Sequence, residues 1–184
     1  MIKSEFKKKY LKIITILFIV IFVYWLFCLP KVYFEVPKSS IIESSKGELL
    51  SARIANDGQW RFPLLDSVPD KFRHCIIQFE DRSFETHLGI SIRSLARAVC
   101  QNLSKRKVVS GGSTITMQTV RLMRQNPPRT LLQKIIEAIW ATRLEFKETK
   151  DEILKYYATY APFGGNVVGL ETASWRYYNK PSHQ

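Results

Sequence analysis

Two carboxylic acids stand side by side at Glu80 and Asp81, at the head of the stretch EDRSFETHLG. Farther along, GGST at 111–114 offers two hydroxyls behind two glycines, Gln118 follows, and Lys134 stands three residues before Glu137. A carboxylate can take a proton from an attacking hydroxyl, and an ammonium or the free N–H groups of a helix start can hold an anion. Taken singly, each feature has a plainer reading. Glu80 is a solvated acid at a helix end, GGST is a loop with a Ser/Thr cap, and Lys134 with Glu137 is an exposed ion pair worth about 0.2–0.5 kcal/mol. His87 reads as a satisfied structural histidine, Phe84 as core and Gly89 as a turn. Paired acids also cut glycosidic bonds, but adjacent acids need not flank one.

The chain that must position these groups has 184 residues, a hydrophobic fraction of 46% and a formal net charge of +12. That is one domain of ordinary size with enough apolar material for a core. A basic surface favours phospholipid headgroups, phosphate-bearing substrates or nucleic acid. Cys28, Cys75 and Cys100 show no metal-ligand spacing. Cys75 and Cys100 read as a disulfide or, more ordinarily, as two buried thiols.

Residues 13–29, IITILFIVIFVYWLFCL, carry no charge and are close to the ~20 residues that cross a bilayer. Tyr24 and Trp25 suit the interfacial belt, and Lys7, Lys8 and Lys9 precede the run. The positive-inside rule then makes 1–12 a cytoplasmic basic tail and puts the rest outside. No small-residue cleavage site follows, so the segment reads as an uncleaved single-pass anchor. The orientation also removes the Lys105-Arg106-Lys107 run from nucleic acid; such runs are usually solvated faces.

Residues 30–66 read as an extended, β-rich linker, with SSIIES and GELLSARI forming a hairpin about Ser45-Lys46-Gly47 and a second turn at Asp57-Gly58. From 67 the pattern is helical. Phe72, Cys75, Ile76 and Phe79 share one helix face, which leaves Glu80 and Asp81 at the C-terminal end, where the macrodipole disfavours acids. A second helix follows Ser91 as N-cap, with Ile92, Leu95, Ala96 and Val99 on one face. A basic Gly-Gly loop leads to a third helix near Ser113, broken by Asn126-Pro127-Pro128. In the helix over 129–146, Leu132, Ile135, Ile136, Ile139, Trp140 and Leu144 build a broad apolar side. Thr149 and Glu152 form a capping-box pattern for KDEILKYYATY. APFGGN then leads to a last helix in GLETASWRYY.

The order EDRSFETHLG, GGSTITMQ, a KxxE helix, KDEIL and GLETASWRYYNK resembles glycosyltransferase family 51. This is the peptidoglycan polymerase domain of class A penicillin-binding proteins and monofunctional transglycosylases. NDGQWRFPL and APFGGN look most like its penicillin-binding protein 1C branch. The resemblance implies a mainly α, lysozyme-like domain over 67–184, after a small β-hairpin region and one transmembrane helix. It implies polymerisation of lipid II into glycan strands by inverting transfer, with release of undecaprenyl pyrophosphate, at the bacterial inner membrane. Glu80 matches the general base, with Asp81 shaping the site. Gly112, Ser113, Thr114 and Gln118 match a substrate-binding segment. Lys134 matches a residue that stabilises the pyrophosphate. Glu137 acts there either through a divalent cation, magnesium or manganese, or by organising basic residues; no cofactor is otherwise required. Lipid II, the nascent strand, the membrane and other cell-wall synthesis proteins are the implied partners, and nucleic acid is not.

Four positions depart from the family's pattern. Met117 replaces a usual Gln, Gln133 a usual Arg, Thr159 a usual Asn and Asn179 a usual Gly; Arg124 or Arg129 would be the residues to restore the charge lost at 133. Family domains also continue beyond the point reached at Gln184, and no transpeptidase Ser-x-x-Lys site is present. A truncated, non-catalytic remnant that binds lipid II or partner enzymes is therefore the second expectation.

Overall fold

The computed structural model describes residues 2–107 and 111–183. Residues 108–110 of the expected basic loop lie outside them, as do the side chains of the lysine-rich start. The chain opens with helix α1 (Ile2–Phe27) and an antiparallel hairpin, β1 (Ser40–Glu43) and β2 (Leu49–Arg53). A short strand β3 (Trp60–Arg61) precedes four helices: α2 (Asp70–Glu80), α3 (Ile92–Lys105), α4 (Ile115–Met123) and α5 (Leu131–Glu145). Helix α6 (Lys150–Tyr160), strands β4 (Pro162–Gly164) and β5 (Val167–Val168) and helix α7 (Leu170–Tyr178) complete the fold. The protein is mainly α, as the pattern of the sequence requires.

The helices begin where side-chain caps put them. Ser91, Thr114, Thr130 and Thr149 each accept a hydrogen bond from the backbone N–H three residues on. Each such cap contributes about 1 kcal/mol. The core lies where α4, α5 and α6 meet. Phe84, Ile115, Val120, Ala141, Leu144, Ile153 and Leu154 are all buried there. Each of the larger apolar side chains among them contributes roughly 1.5–3 kcal/mol. Most of α4 is interior, with Ile115, Thr116, Met117, Thr119 and Val120 buried.

Residues 30–66 do more than link. The hairpin forms as its turn residues predict, but β3 pairs in parallel with β5, more than a hundred positions away. Just beyond β3, the Phe62 N–H donates to Thr172 Oγ1 (3.0 Å) and the Leu65 N–H to Thr159 Oγ1 (3.3 Å). Phe34 stacks on Tyr160, their ring centroids 3.7 Å apart. A segment that reads as a boundary therefore belongs to the body of the domain, because its partners are hydroxyls and edges supplied from the far end of the chain.

The anchor also differs at its edges. Helix α1 runs from Ile2 and stops at Phe27, and its residues 10–27 form an 18-residue stretch long and apolar enough to cross a membrane, with none of it buried in the protein. Cys28 is buried and Leu29 packs on the core, so the end of the apolar run belongs to the domain.

Four expected apolar faces or thiols are corrected. No residue of α2 is fully buried, and Phe79 and Cys75 are exposed. On α3, Ile92, Leu95 and Val99 face outward and only Ala98 among its apolar residues is buried. Cys75 and Cys100 are free and exposed, neither bridged nor interior. On α5 the buried side carries Glu137, Ala141 and Leu144, while Leu132 and Ile135 are exposed. Helical periodicity identifies a face but not its partner.

Gly89 shows how tightly the loop after α2 is seated. Its φ is +86°, and a Cβ there would lie 2.6 Å from the Ala141 carbonyl. Both the left-handed backbone and the close approach require glycine. Gly89→Ala should cost at least about 2 kcal/mol in unfolding stability, measured by thermal unfolding of the detergent-solubilised protein.

Candidate active site

The acid pair divides between two tasks. Glu80 ends α2, whose last turn has no basic residue. A carboxylate there costs about 0.3–1 kcal/mol against the helix dipole. Glu80 is half-buried, and Gln118 Nε2 donates to its Oε2 at 2.7 Å. Its other oxygen has no hydrogen-bond partner among the described residues, so it is available to an incoming hydroxyl.

Asp81 points elsewhere. It is 3% exposed, and its Oδ2 accepts the Ile115 N–H (3.1 Å) at the start of α4 and a bond from His87 Nε2 (2.7 Å). Ser83 Oγ donates to Oδ1. The Gly89 N–H donates to His87 Nδ1 (3.1 Å), so that nitrogen must carry the lone pair and Nε2 the proton. His87 is thus a satisfied structural histidine, fixed in one neutral tautomer. Asp81 neutralises the positive end of α4. Through these bonds Asp81 positions the loop that follows Glu80.

The GGST segment is engaged in the same way. Thr114 Oγ1 donates to the Gly89 carbonyl (2.6 Å) and accepts the Met117 N–H (3.1 Å). Gly112 is buried, and a Cβ on it would fall 2.9 Å from Leu95 Cα, so its role is close packing on α3. At this helix start the amides of Ile115 and Met117 already serve Asp81 and Thr114. Ser113 is half-buried at the entry to α4, and Gln118 alone of this group touches Glu80.

Helix α4 brings the second constellation to the first. Arg121 lies one turn after Gln118, on the same face, about 5–6 Å along. Its guanidinium sits 3.6 Å from Glu137 Oε1 and also donates to the Pro127 carbonyl. Glu137 is 4% exposed, and that oxygen makes no hydrogen bond. Burial pushes its carboxyl above the usual glutamate range, against the opposing charges of Arg121, Arg124, Arg129 and Lys134. Arg124 lies over the Trp140 ring, 5.3 Å from its centroid, with one buried guanidinium nitrogen unpartnered. The result is a basic cluster around one buried acid, next along α4 from Glu80. Among the described residues no three acidic, histidine or cysteine side chains come together, and the neighbours of Glu137 are cationic. A divalent cation does not fit that donor set.

Three residues have neighbours here that the sequence reading did not assign them. Tyr157 lies near Glu80, and burial first, then the Glu80 charge, push its phenol up to about 12. Arg121 is the direct partner of Glu137; its i,i+3 relation to Gln118 was the available signal. Lys150 donates to the His87 carbonyl (2.7 Å), pairs with Glu145 (2.7 Å) and lies over the Phe84 ring. Nothing local in the sequence shows that tie.

Comparison with known proteins shows the family. The family model described as Transglycosylase matches residues 46–184. The chain belongs to the transglycosylase family. It is 39% identical to penicillin-binding protein 1C of Escherichia coli over 147 residues, 79% of this chain and 19% of that protein. It is 38% identical to penicillin-binding protein 1A of Pseudomonas aeruginosa over 62% of this chain and 14% of that one. It is 34% identical to penicillin-binding protein 1F of Bacillus subtilis over 77% and 20%. The chain spans about a fifth of the length of these relatives.

Two outcomes follow. Asp81→Ala leaves the buried Ile115 N–H and His87 unpartnered and should cost roughly 3 kcal/mol; Asp81→Asn keeps a carbonyl acceptor and should cost less in the same unfolding assay. For Glu137 the native state holds its proton more tightly than the unfolded chain. Stability relative to Glu137→Gln should therefore be highest below the ordinary glutamate value and fall as pH rises through the native one. Thermal unfolding of both proteins across that acid range measures it.

Proposed function

We propose that this chain is a membrane-anchored peptidoglycan glycosyltransferase that joins lipid II to a growing glycan strand with inversion and releases undecaprenyl pyrophosphate. The carrying observation is the arrangement on α4, where Gln118 holds Glu80 and Arg121 holds Glu137 on one face. A hydroxyl that attacks a sugar C1 must lose its proton, and the diphosphate that departs must have its charge met. Glu80 takes the proton through its free oxygen while Gln118 fixes the carboxylate. Lys134, Arg121, Arg124 and Arg129 meet the diphosphate. Glu137 keeps these cations gathered, the second of its two expected roles; a cation bridge is the role its basic neighbours disfavour. Ser113 contributes to substrate binding at the entry to α4. Helix α1 holds the domain at the bacterial inner membrane, with its basic start in the cytoplasm and the site outside.

Full-length protein in phospholipid vesicles, given labelled lipid II, should form polymer. Glu80→Gln should lower the rate by at least about 10²-fold, and Lys134→Ala by about 10²–10³-fold, both read as polymer on gels. Equal polymer from Glu80→Gln would refute its role as base. Binding of lipid II by the unaltered protein without any polymer would favour the non-catalytic reading instead.

A further inference from the structure

Helices α4 and α5 meet along two matched rungs. Arg121 faces Glu137, and Arg124, three residues on, faces Trp140, three residues after Glu137. Residues three apart on a helix are neighbours on one side, so the acid and the indole ring form one strip against two guanidinium groups. The backbone at Arg124 is fixed. Its N–H closes α4 on the Val120 carbonyl, and Gln125 and Asn126 follow with φ of +56° and +53°, their N–H groups returning to Leu122 and Arg121. The side chain is held differently. Among the described residues its guanidinium makes no ion pair and no hydrogen bond, and it lies over the Trp140 ring. That ring is itself tied down. Trp140 is half-buried, and its Nε1 donates to Tyr24 Oη (3.0 Å) on α1. Trp25 Nε1 donates to Thr142 Oγ1 (3.0 Å) and Arg143 Nε to the Leu26 carbonyl (3.2 Å), so the end of α1 runs beside this turn of α5. An indole has a single donor; once Tyr24 takes it, the ring plane is set and its face stays toward Arg124.

We propose that Trp140 is a positioning residue for the diphosphate: held at its N–H by Tyr24 of α1, it presents its ring face to Arg124 and sets that guanidinium in the basic cluster, where it meets the departing lipid diphosphate. The proposal rests on the reading of that cluster as the diphosphate site. An aromatic face holds a guanidinium without consuming its charge or its N–H groups, which stay available to an anion; a carboxylate in the same place would take both. The charge of Arg124 already reaches Glu137, the acid at the centre of the cluster. Helix α1 thereby acquires a task besides anchoring. Through one tyrosine and one indole it fixes an arginine of the site from outside α4.

The test is a double-mutant cycle in the full-length protein in phospholipid vesicles: Trp140→Met, Arg124→Ala and the pair, each checked by thermal unfolding, with kcat and KM taken from polymer formed on labelled lipid II. Trp140→Met should lower kcat/KM about 5–30-fold, mainly through kcat, because a departing diphosphate gains charge that the bound donor lacks. In the Arg124→Ala protein the same change should cost less than about twofold, since a side chain that acts through another then has nothing to act on. Trp140→Phe keeps a ring face and should restore most of the rate. Tyr24→Phe removes the acceptor and should show part of the loss, again only while Arg124 is present. Losses that multiply in the double variant overturn the proposal, because Trp140 then matters as packing alone. So does a Trp140→Phe protein no better than Trp140→Met. If Trp140→Met does not fold, Tyr24→Phe takes its place in the cycle. If the unaltered protein makes no polymer, the glycosyltransfer reading fails by itself, and the same cycle is read as affinity for farnesyl diphosphate. Coupling between positions 140 and 124 in that affinity supports the proposal, and its absence, or no binding at all, overturns it.

Discussion

The contact between the Asp81 carboxylate and the start of α4 is the constraint on which the rest depends. One oxygen caps the Ile115 N–H and holds His87, while the backbone on either side of Asp81 ends α2 and begins the loop. A charged acceptor buried without partners would be prohibitive, so the loop can close only in the one arrangement that supplies them. Once it closes, Thr114 reaches the Gly89 carbonyl, Gly89 lies against α5, and Lys150 reaches from α6 to the His87 carbonyl. Four helices are referred to one carboxylate, and Glu80 is placed as the residue immediately before it.

This division of labour explains why an acid pair survives at the unfavourable end of a helix. The two carboxylates do not share a site. One is satisfied inside the protein, and the other, half-buried and held by a neutral amide, keeps an oxygen with no partner among the described residues. A cation in place of Gln118 would hold Glu80 more strongly but would compete for the lone pair that a proton acceptor needs. At the basic cluster the logic is reversed. Arg121, Arg124, Arg129 and Lys134 repel one another, and the buried Glu137 makes their proximity tolerable. Its cost of burial is visible in its raised proton affinity.

Much of this was legible in the residues. Helix starts at Ser91, Thr114, Thr130 and Thr149 follow from local capping chemistry, as does the hairpin about Gly47. Glu80, Gln118, Lys134 and Glu137 were singled out by the resemblance of their motifs rather than by spacing, and the fold bonds Gln118 to Glu80 and sets Lys134 near Glu137. What stayed hidden depends on distance along the chain. The β3–β5 pairing, the Thr159 and Thr172 hydroxyls that receive the Leu65 and Phe62 amides, and the Lys150 tie all join segments whose local patterns are complete without one another. The apolar faces of α2, α3 and α5 show the converse: periodicity marks a side as apolar, and only the fold shows whether protein covers it.

The departures from the family pattern bear on the second reading, and their places in the fold weigh against it. Met117 is 3% exposed within the central apolar cluster, where its side chain packs as core. Thr159 is equally interior; its hydroxyl accepts the Leu65 amide and donates to the Lys155 carbonyl, a structural task. Only Gln133 adjoins the cluster. Beside it Arg124, which lies over Trp140, and Arg129 both bring positive charge to bear on Glu137. Electrostatic stabilisation of a leaving diphosphate depends on the summed field of preorganised cations more than on which helix position supplies each. The changes at Met117 and Thr159 are thus packing choices, Asn179 closes α7 in the left-handed conformation that a glycine would also adopt, and Gln133 has other cations beside it. Adjoining turns of α4 thus join a carboxylate at the end of α2, through Gln118, to the basic cluster about Glu137 on α5, through Arg121; transfer asks for both a proton acceptor and a cationic cradle, whereas binding alone asks only for the cradle.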